Sequence, residues 1–598
     1  MSEKEKIIND FSITIATVNG SGSQTANTTL MRALFKMGIP VSGKNIFPSN
    51  IQGLPTWYTI RANKDGFTAR KDEHEVVVCM NPTTFSEDLE KVLPGGAFYY
   101  ADHIHSPIKR TDISIYPMPV KDLIKNADVS PSLRDYIANM VYVGVLTHML
   151  GIDIKQIETA LDFHFKGKPK PIESNMTMVQ ASAEWAKENL TKTDPYLVEA
   201  INKNEGLIMA DGNTAAALGA IYGGVQFAAW YPITPASSLA EKLNEFLPQL
   251  RKDADGHHTY AVVQAEDELA AIGMAVGAGW AGLRSMTSTS GPGLSLMTEF
   301  AGLAYFAEIP VVIWDIQRMG PSTGLPTRTS QGDLTFTAFL GHGDTQQVIL
   351  LPGSVNECFK FGYTAFDIAE QLQCPVFVLG DLDLGMNQWM AESFQYPDKP
   401  MNRGKVLWEE DLEKIKGNWG RYRDVDGDGI PYRTVMGNQH PRSGYFARGT
   451  GHNEDAMYSE NSENWETNMN RLRVKYNTAR TIVPDPIIDD SKDTEIAFIG
   501  FGSNDPAINE ARFLLEKDGI DTNYMRIRAL PFNQKVKDFI KKHKRIYVIE
   551  ANHDGQMKQL LTLESPGDGE KFKSLSLDNG LPLSARWIVK TFHELEVN

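Results

Sequence analysis

The chain has 598 residues, 42% hydrophobic and 22% charged, a balance that excludes a disordered or fibrous polymer and allows several buried cores. Its formal net charge of −16 comes with no long basic run, which excludes a nucleic-acid surface as its main business, because phosphate binding needs dense lysine and arginine. The three cysteines, Cys79, Cys358 and Cys374, lie too far apart for a disulfide framework or for metal or iron–sulfur ligand spacing. No window approaches the roughly 18 apolar residues of a membrane span, and the first residues lack a signal-peptide pattern, so a cytoplasmic protein is expected.

At about 150 residues per domain, three α/β domains are expected. The first, residues 1–190, opens with a β-branched run from Phe11 to Val18, a Gly/Ser loop and the helical segment TTLMRALFKMG, the order of a Rossmann-like unit. The loop from Asn19 to Gln24 lacks the third glycine of a dinucleotide fingerprint and reads as a structural turn. Between Ile46 and Tyr58, prolines and aromatics mix with hydrogen-bonding side chains, as in a loop that lines a pocket or an interface. Residues 168–190 join a Pro-rich entry to an amphipathic helix and read as a linker along a surface.

The second domain, residues 205–390, alternates strands and helices with loops that look chemical. Asp211 caps the small-residue helix TAAALGAIYGG, and the strand QFAAWY feeds Tyr231-Pro232-Ile233-Thr234-Pro235, where Thr234 is expected as N-cap and Pro235 as the first helical residue. The strand TYAVVQ runs into Glu266-Asp267-Glu268 and a helix of Ala, Gly and Ile. Three carboxylates suit a helix N-terminus, and one that leads so apolar a helix is expected to be partly buried, where it suits proton transfer. The strand SMTSTS precedes a turn at Gly291-Pro292-Gly293, and IPVVIWDIQ ends at Arg318, whose guanidinium is expected in a crevice, with Gly320 to Thr327 as its lip.

A region from 391 to 486 has no clear strand pattern and is expected to be functional or wrapped over a partner. It holds Asp424-Val425-Asp426-Gly427-Asp428-Gly429, open to three readings: a structural turn, a cation site on Asp424, Asp426 and Asp428, or a diphosphate-binding GDG. Val435 stands where a calcium loop needs its bidentate Glu, and Asn453 and Asn461 both miss the spacing of a GDG motif. The third domain, 487–598, alternates strand and helix as another parallel unit.

Taken together, the YPITP segment, Glu268, the TSGPG segment, Arg318 and GPSTGLPT resemble the α subunit of 2-oxoacid:ferredoxin oxidoreductases. The Ile46 to Tyr58 segment resembles versions acting on 2-oxoglutarate. The resemblance implies a γ domain, a thiamine-pyrimidine-binding domain and a transketolase C-terminal-like domain. It also implies thiamine diphosphate with Mg²⁺ shared with a β subunit, a [4Fe-4S] cluster on that subunit, an (αβ)2 assembly, coenzyme A as co-substrate and ferredoxin as acceptor. In such a site Glu268 meets N1′ of the aminopyrimidine, with Tyr231, Pro232, Ile233 and Gly291 around the cofactor. Thr234 and Arg318 hold the carbonyl and carboxylate of the 2-oxoacid. Lys44 or the Asn50 to Thr56 loop would meet a distal carboxylate. Oxidative decarboxylation to an acyl-CoA, or its reverse, follows. Pyruvate or a branched-chain acid is the alternative substrate, and a non-catalytic nucleotide-binding or scaffold subunit the alternative of another class.

Overall fold

The structure is a computed structural model that describes residues 5–48, 53–126, 134–417 and 419–597. It folds as two compact units: residues 1–209 with 387–393 and 584–587, and residues 210–386 with 394–583 and 588–598.

The first unit is built on β1 (Asp10–Val18), α1 (Ser23–Lys36), β2 (Val41–Ile46), β3 (Pro55–Asn63), β4 (His74–Cys79), β5 (Val92–Ala101) and β6 (Ser114–Met118). The sheet order is β2-β3-β1-β4-β5-β6. β1 pairs antiparallel with β3 along its whole length and parallel with β4, so the sheet is mixed. The expected pocket loop from Ile46 to Tyr58 is a strand from Pro55 onward, and its residues 49–52 fall outside the described ones.

Helix α2 (Met140–Leu150) is buried along nearly its whole length, and α3 (Pro169–Asn189) covers it. A Cβ added at Gly144 would stand 2.1 Å from Ser182 Oγ and 2.2 Å from the Val179 carbonyl, so the two backbones nearly touch. The expected linker over 168–190 is therefore one helix packed into the core; its Pro-rich entry is the helix N-terminus, where proline costs no hydrogen bond.

The second unit carries α4 (Gly212–Tyr222), β7 (Phe227–Trp230), α5 (Ser237–Leu250), β8 (Ala261–Gln264), α6 (Glu268–Trp280), β9 (Ser285–Thr289), α7 (Gly291–Leu296), β10 (Val311–Gln317), β11 (Val348–Leu350), α8 (Val355–Leu372) and β12 (Pro375–Asp381). Further along come α9 (Ser462–Ala479), β13 (Ile487–Asp489), β14 (Ile496–Phe501), β15 (Asn523–Ile527), β16 (Ala529–Leu530), β17 (Arg545–Glu550), α10 (Gln556–Glu564) and β18 (Phe572–Ser576). One sheet runs β8-β7-β9-β10-β12-β11-β16, parallel except for β16; the other runs β13-β15-β14-β17-β18, parallel except for β13.

α4 and α8 pack closely because their glycines interlock: a Cβ at Gly219 would stand 2.1 Å from the Phe359 carbonyl, and one at Gly362 2.7 Å from that of Ala216. One hydrophobic core runs from Ile313 and Phe377 in the first sheet to Ile499, Ile527 and Val548 in the second, so the two expected domains share a core. Gln331, which is buried, ties their loops together: its Nε2 donates to the Phe501 carbonyl, and its Oε1 accepts from the Ala551 N–H and from Asn504 Nδ2.

The irregular region, in which no clear strand pattern was expected, contains the helix α9. That helix brings Arg471 and Lys475 onto the fully buried Glu308, at 3.0 Å from Arg471 Nη1 and 2.6 Å from Lys475 Nζ. The insertion is thus anchored by a desolvated ion cluster, with an apolar contribution from Leu472.

Candidate functional site

β7, β8, β9 and β10 are parallel neighbours, so the loops after Trp230, Gln264, Thr289 and Gln317 all leave the same edge of the sheet. This is the carboxyl edge, where open parallel sheets bind ligands. The catalytic, substrate-binding and cofactor-binding residues expected from the sequence in the second unit stand on these four loops.

After β7 the chain enters Tyr231, which is exposed, then Pro232 and Ile233, and the Thr234–Pro235 peptide is cis. The helix begins only at Ser237, with Ala236 at its N-cap and no side-chain cap. Thr234 is therefore not the cap, nor Pro235 the first helical residue, as expected from the sequence. Ser237 Oγ instead accepts the Ile233 N–H at 2.9 Å. Asn213 holds the turn from below, donating from Nδ2 to the Pro235 carbonyl at 2.9 Å and to Ser238 Oγ at 2.7 Å. Asn213 stands just behind Asp211, which caps α4 as expected by accepting the Thr214 N–H.

After β8 the three acidic residues separate by role. Glu266 is exposed, Asp267 caps α6 by accepting the Ala270 N–H at 2.7 Å, and Glu268 turns inward with 7% of its surface exposed. Among the described residues no donor reaches the Glu268 carboxylate. It packs on the N-terminal turn of α7, where a Cβ on Gly293 would lie 2.9 Å from Glu268 Oε1 and 2.0 Å from Thr289 Oγ1. The expected Gly-Pro-Gly turn is in fact the first turn of α7, capped by Ser290, with Pro292 in the opening positions that tolerate it.

Arg318 follows β10 and is 9% exposed. Its Nη1 donates to the Thr234 carbonyl at 2.8 Å, while Nε has no partner among the described residues. Burial lowers the pKa of the guanidinium and the nearby Asp333 carboxyl opposes that shift. Asp333 abuts the other end of the α7 turn, since a Cβ on Gly291 would lie 2.8 Å from its Oδ2. Behind it stands Asp315, completely buried within β10. Burial pushes both carboxyls up, Asp315 well above the carboxylate range with repulsion from Asp333 added, and Asp333 to about 6, with a hydrogen bond from Asp315 and the charge of Arg318 pulling Asp333 back down.

A cavity of about 630 Å³ opens over this arc, lined by Gly291, Arg318, Ser322, Asp333, Asn552 and Asp578 among others. The expected lip is present through Gly320, Pro321, Ser322 and Thr323. The opposite wall, from Asn552 to Gln556, follows β17 and was not expected from the sequence. Asp333 and Asn213 were missed as well. Asp315 had a visible signal, an acid inside the apolar run VVIWDIQ.

Four other expected residues are not on these loops. Lys44 is buried on β2 in the first unit, its Nζ 3.3 Å from the centre of the Trp389 ring. In the 424–429 loop, Asp424 accepts the N–H groups of Gly427 and Gly429, while Lys405 Nζ lies 2.6 Å from Asp426 and 2.8 Å from Asp428. Its carboxylates are spent on turn formation and on one lysine, and Asp424, Asp426 and Asp428 do not converge as a ligand set.

The geometry agrees with what this chain is similar to. Residues 218–406 match the family "Pyruvate flavodoxin/ferredoxin oxidoreductase, thiamine diP-bdg", and residues 12–185 match "Pyruvate ferredoxin/flavodoxin oxidoreductase". The 2-oxoglutarate synthase subunit KorA of Methanothermobacter thermautotrophicus is 35% identical over 58% of this chain and 88% of its own. The chain belongs to the 2-oxoacid:ferredoxin oxidoreductases. Within that family, subunit α of 2-oxoacid:ferredoxin oxidoreductase 2 from Aeropyrum pernix is 29% identical over 92% of each chain. The solved 2-oxoglutarate:ferredoxin oxidoreductase from Magnetococcus marinus, with 2-oxoglutarate, coenzyme A and succinyl-CoA bound, superposes with a TM-score of 0.86 at 28% identity, covering 99% of this chain and 100% of that one. The expected α/β fold and family both stand. Among the described residues no helix is long and apolar enough to cross a membrane.

Proposed function

We propose that this chain is the α subunit of a thiamine-diphosphate-dependent enzyme that oxidatively decarboxylates 2-oxoglutarate with coenzyme A and reduces ferredoxin. The observation that carries the reading is the arc Thr234–Arg318–Asp333–Gly291–Gly293–Glu268. It places a buried carboxylate with open acceptors and a half-satisfied guanidinium on one carboxyl edge. The residues fit the cofactor: Glu268 has acceptor capacity to spare toward a ring nitrogen, and the glycines at 291 and 293 let the Asp333 and Glu268 carboxyls pack directly on the α7 turn. Bound there, thiamine diphosphate supplies the carbanion and electron-sink chemistry that decarboxylation of a 2-oxoacid requires.

The chain's own residues do the orienting. Arg318 has the planar donor fork a carboxylate prefers, and its bond to the Thr234 carbonyl fixes that fork at the site. Tyr231, Pro232 and Ile233, which lead into Thr234 on the same loop, would meet the cofactor. Glu268 holds or accepts a proton at the ring nitrogen.

A β subunit carrying the diphosphate, Mg²⁺ and a [4Fe-4S] cluster, in an (αβ)2 assembly, completes the proposal. Supporting it, burial pushes up the thiols of Cys79, Cys358 and Cys374, Cys374 to about 11, and all three are free and buried. The choice of 2-oxoglutarate rests on the KorA relatives and on the Magnetococcus enzyme.

The test is viologen-dye reduction by the complex reconstituted with its β subunit and coenzyme A, using 2-oxoglutarate, pyruvate and 2-oxoisovalerate. The expected result is the highest kcat/KM for 2-oxoglutarate and a loss of roughly 10²-fold or more in Glu268→Gln and Arg318→Lys. Preference for pyruvate overturns the substrate, and absence of 2-oxoacid-dependent reduction overturns the function.

A further inference from the structure

Two buried carboxyls share the floor of the cavity with the arginine assigned to the substrate. Asp315 is wholly enclosed within β10, and no N–H or hydroxyl among the described residues reaches either of its oxygens. Its neighbour is Asp333, whose Oδ2 is likewise buried without such a donor and whose carboxyl lines the cavity. The Asp333 backbone is fixed, because its N–H donates to Gln317 Oε1 at 3.1 Å, while Gln317 Nε2 donates to the Gly380 carbonyl at 2.9 Å. Gly291 closes the carboxyl from the side of α7, with no room for a Cβ.

Two acids in contact, without a cation bonded to either, cannot both be ionised at modest cost, so one proton stays on the pair. Arg318 is near enough to feel Asp333 and forms no ion pair with it. The other titratable groups lining the cavity are His553, Asp554 and Asp578, and Asp333 responds to none of them, only to Asp315 and Arg318.

We propose that Asp333 is a positioning residue that sets when Arg318 is available to a substrate carboxylate, by means of the proton it shares with Asp315. While both carboxyls carry protons the pair is a neutral neighbour and the guanidinium offers its free face to the 2-oxoacid; at higher pH only Asp315 keeps its proton. When Asp333 gives its proton to solvent, its carboxylate competes for the same guanidinium. This rests on the reading of Arg318 as the carboxylate-binding residue. It also explains why so costly a pair lies beneath the site: a single fixed carboxylate would hold Arg318 permanently.

The experiment is steady-state dye reduction by the reconstituted complex from pH 5.5 to 8.5, separating KM for the 2-oxoacid from kcat. In the wild type KM rises roughly tenfold between about pH 6 and pH 8, above the Asp333 ionisation. In Asp333→Asn the KM profile is flat and low, while the kcat profile keeps its wild-type shape. Asp315→Ala removes the hydrogen bond by which Asp315 pulls the Asp333 ionisation down, so the KM rise begins at higher pH; this variant decides the matter if Asp333→Asn does not assemble. A wild-type KM independent of pH, or a rise that survives in Asp333→Asn, overturns the proposal and leaves the Arg318 assignment standing. Loss of the pH profile together with an Arg318→Lys variant of unchanged KM overturns the Arg318 assignment itself.

Discussion

Gly293 is where the geometry makes its sharpest quantitative demand. A Cβ added there would lie 2.8 Å from Glu268 Cγ, 2.9 Å from Glu268 Oε1 and 2.0 Å from Thr289 Oγ1. Carbon atoms rest about 3.5–4.0 Å apart, so Gly293→Ala must displace Glu268 by roughly 1 Å, even if the Thr289 hydroxyl rotates away. Overpacking of this kind costs about 1–3 kcal/mol, partly offset by about 0.5–1 kcal/mol gained from replacing glycine inside a helix. The folded chain therefore survives the change. Catalysis does not, because a displacement of about 1 Å in a positioned catalytic group is worth roughly 10²-fold. The assay is kcat for 2-oxoacid-dependent dye reduction in the reconstituted complex, beside urea unfolding of the chain. Gly567→Ala, whose Cβ would meet nothing within 4 Å, serves as the control. Activity of Gly293→Ala within a few-fold of wild type, with stability unchanged, refutes the placement of Glu268 against the α7 turn.

Removing Glu308 strands Arg471 and Lys475 in the core, so Glu308→Gln is expected to cost about 3–5 kcal/mol in denaturant unfolding at neutral pH. Burial alone would raise the Glu308 pKa, but Arg471 and Lys475 overcome it and hold it at about 2. Its contribution is thus fully present above the ordinary glutamate range and lost as pH falls from about 4.5 toward 2, and an acid-unfolding curve that Glu308→Gln leaves unchanged contradicts this. Asn213→Ala leaves the Pro235 carbonyl and Ser238 hydroxyl without their donor, and KM for the 2-oxoacid is expected to rise about fivefold, at about 1 kcal/mol for the lost hydrogen bond. Calorimetry with Ca²⁺ is expected to give the same trace for the wild type and for Asp426→Ala, since Lys405 already occupies that carboxylate; a heat lost in the variant establishes a cation site.

The strands and helices around the site were legible because their signals are local. β10 is an apolar run buried on both faces, α6 follows three acids with unbroken small apolar residues, and the Asp211 cap sits where its side chain says. What the sequence concealed depends on contacts between distant segments. The Thr234–Pro235 corner reads as a helix start because nothing local announces that Asn213 and Arg318 will hold its carbonyls. α3 reads as a linker because its polar face dominates, although Gly144 lets its backbone sink onto α2. The far wall of the cavity comes from residues more than two hundred positions after Arg318, so no spacing rule could join them.

Gln331 has a dynamic consequence. Its one amide bonds to the Phe501 carbonyl, Asn504 and the Ala551 N–H, and Asn552 Nδ2 returns a bond to its carbonyl at 3.1 Å. The loops at the ends of β14 and β17 are thereby riveted to the segment just before Asp333. The two sheets cannot breathe apart at this seam without breaking all four bonds together, so exchange of these protected amides waits on unfolding of the whole unit. Outside this seam the cavity is bordered by the exposed stretch from Gly320 to Thr323, whose loop is closed by the Leu325 N–H donating to the Met319 carbonyl at 3.0 Å. Turnover in such a site would be paced by a loop of a few residues, and stiffening that loop would slow release without touching the chemistry.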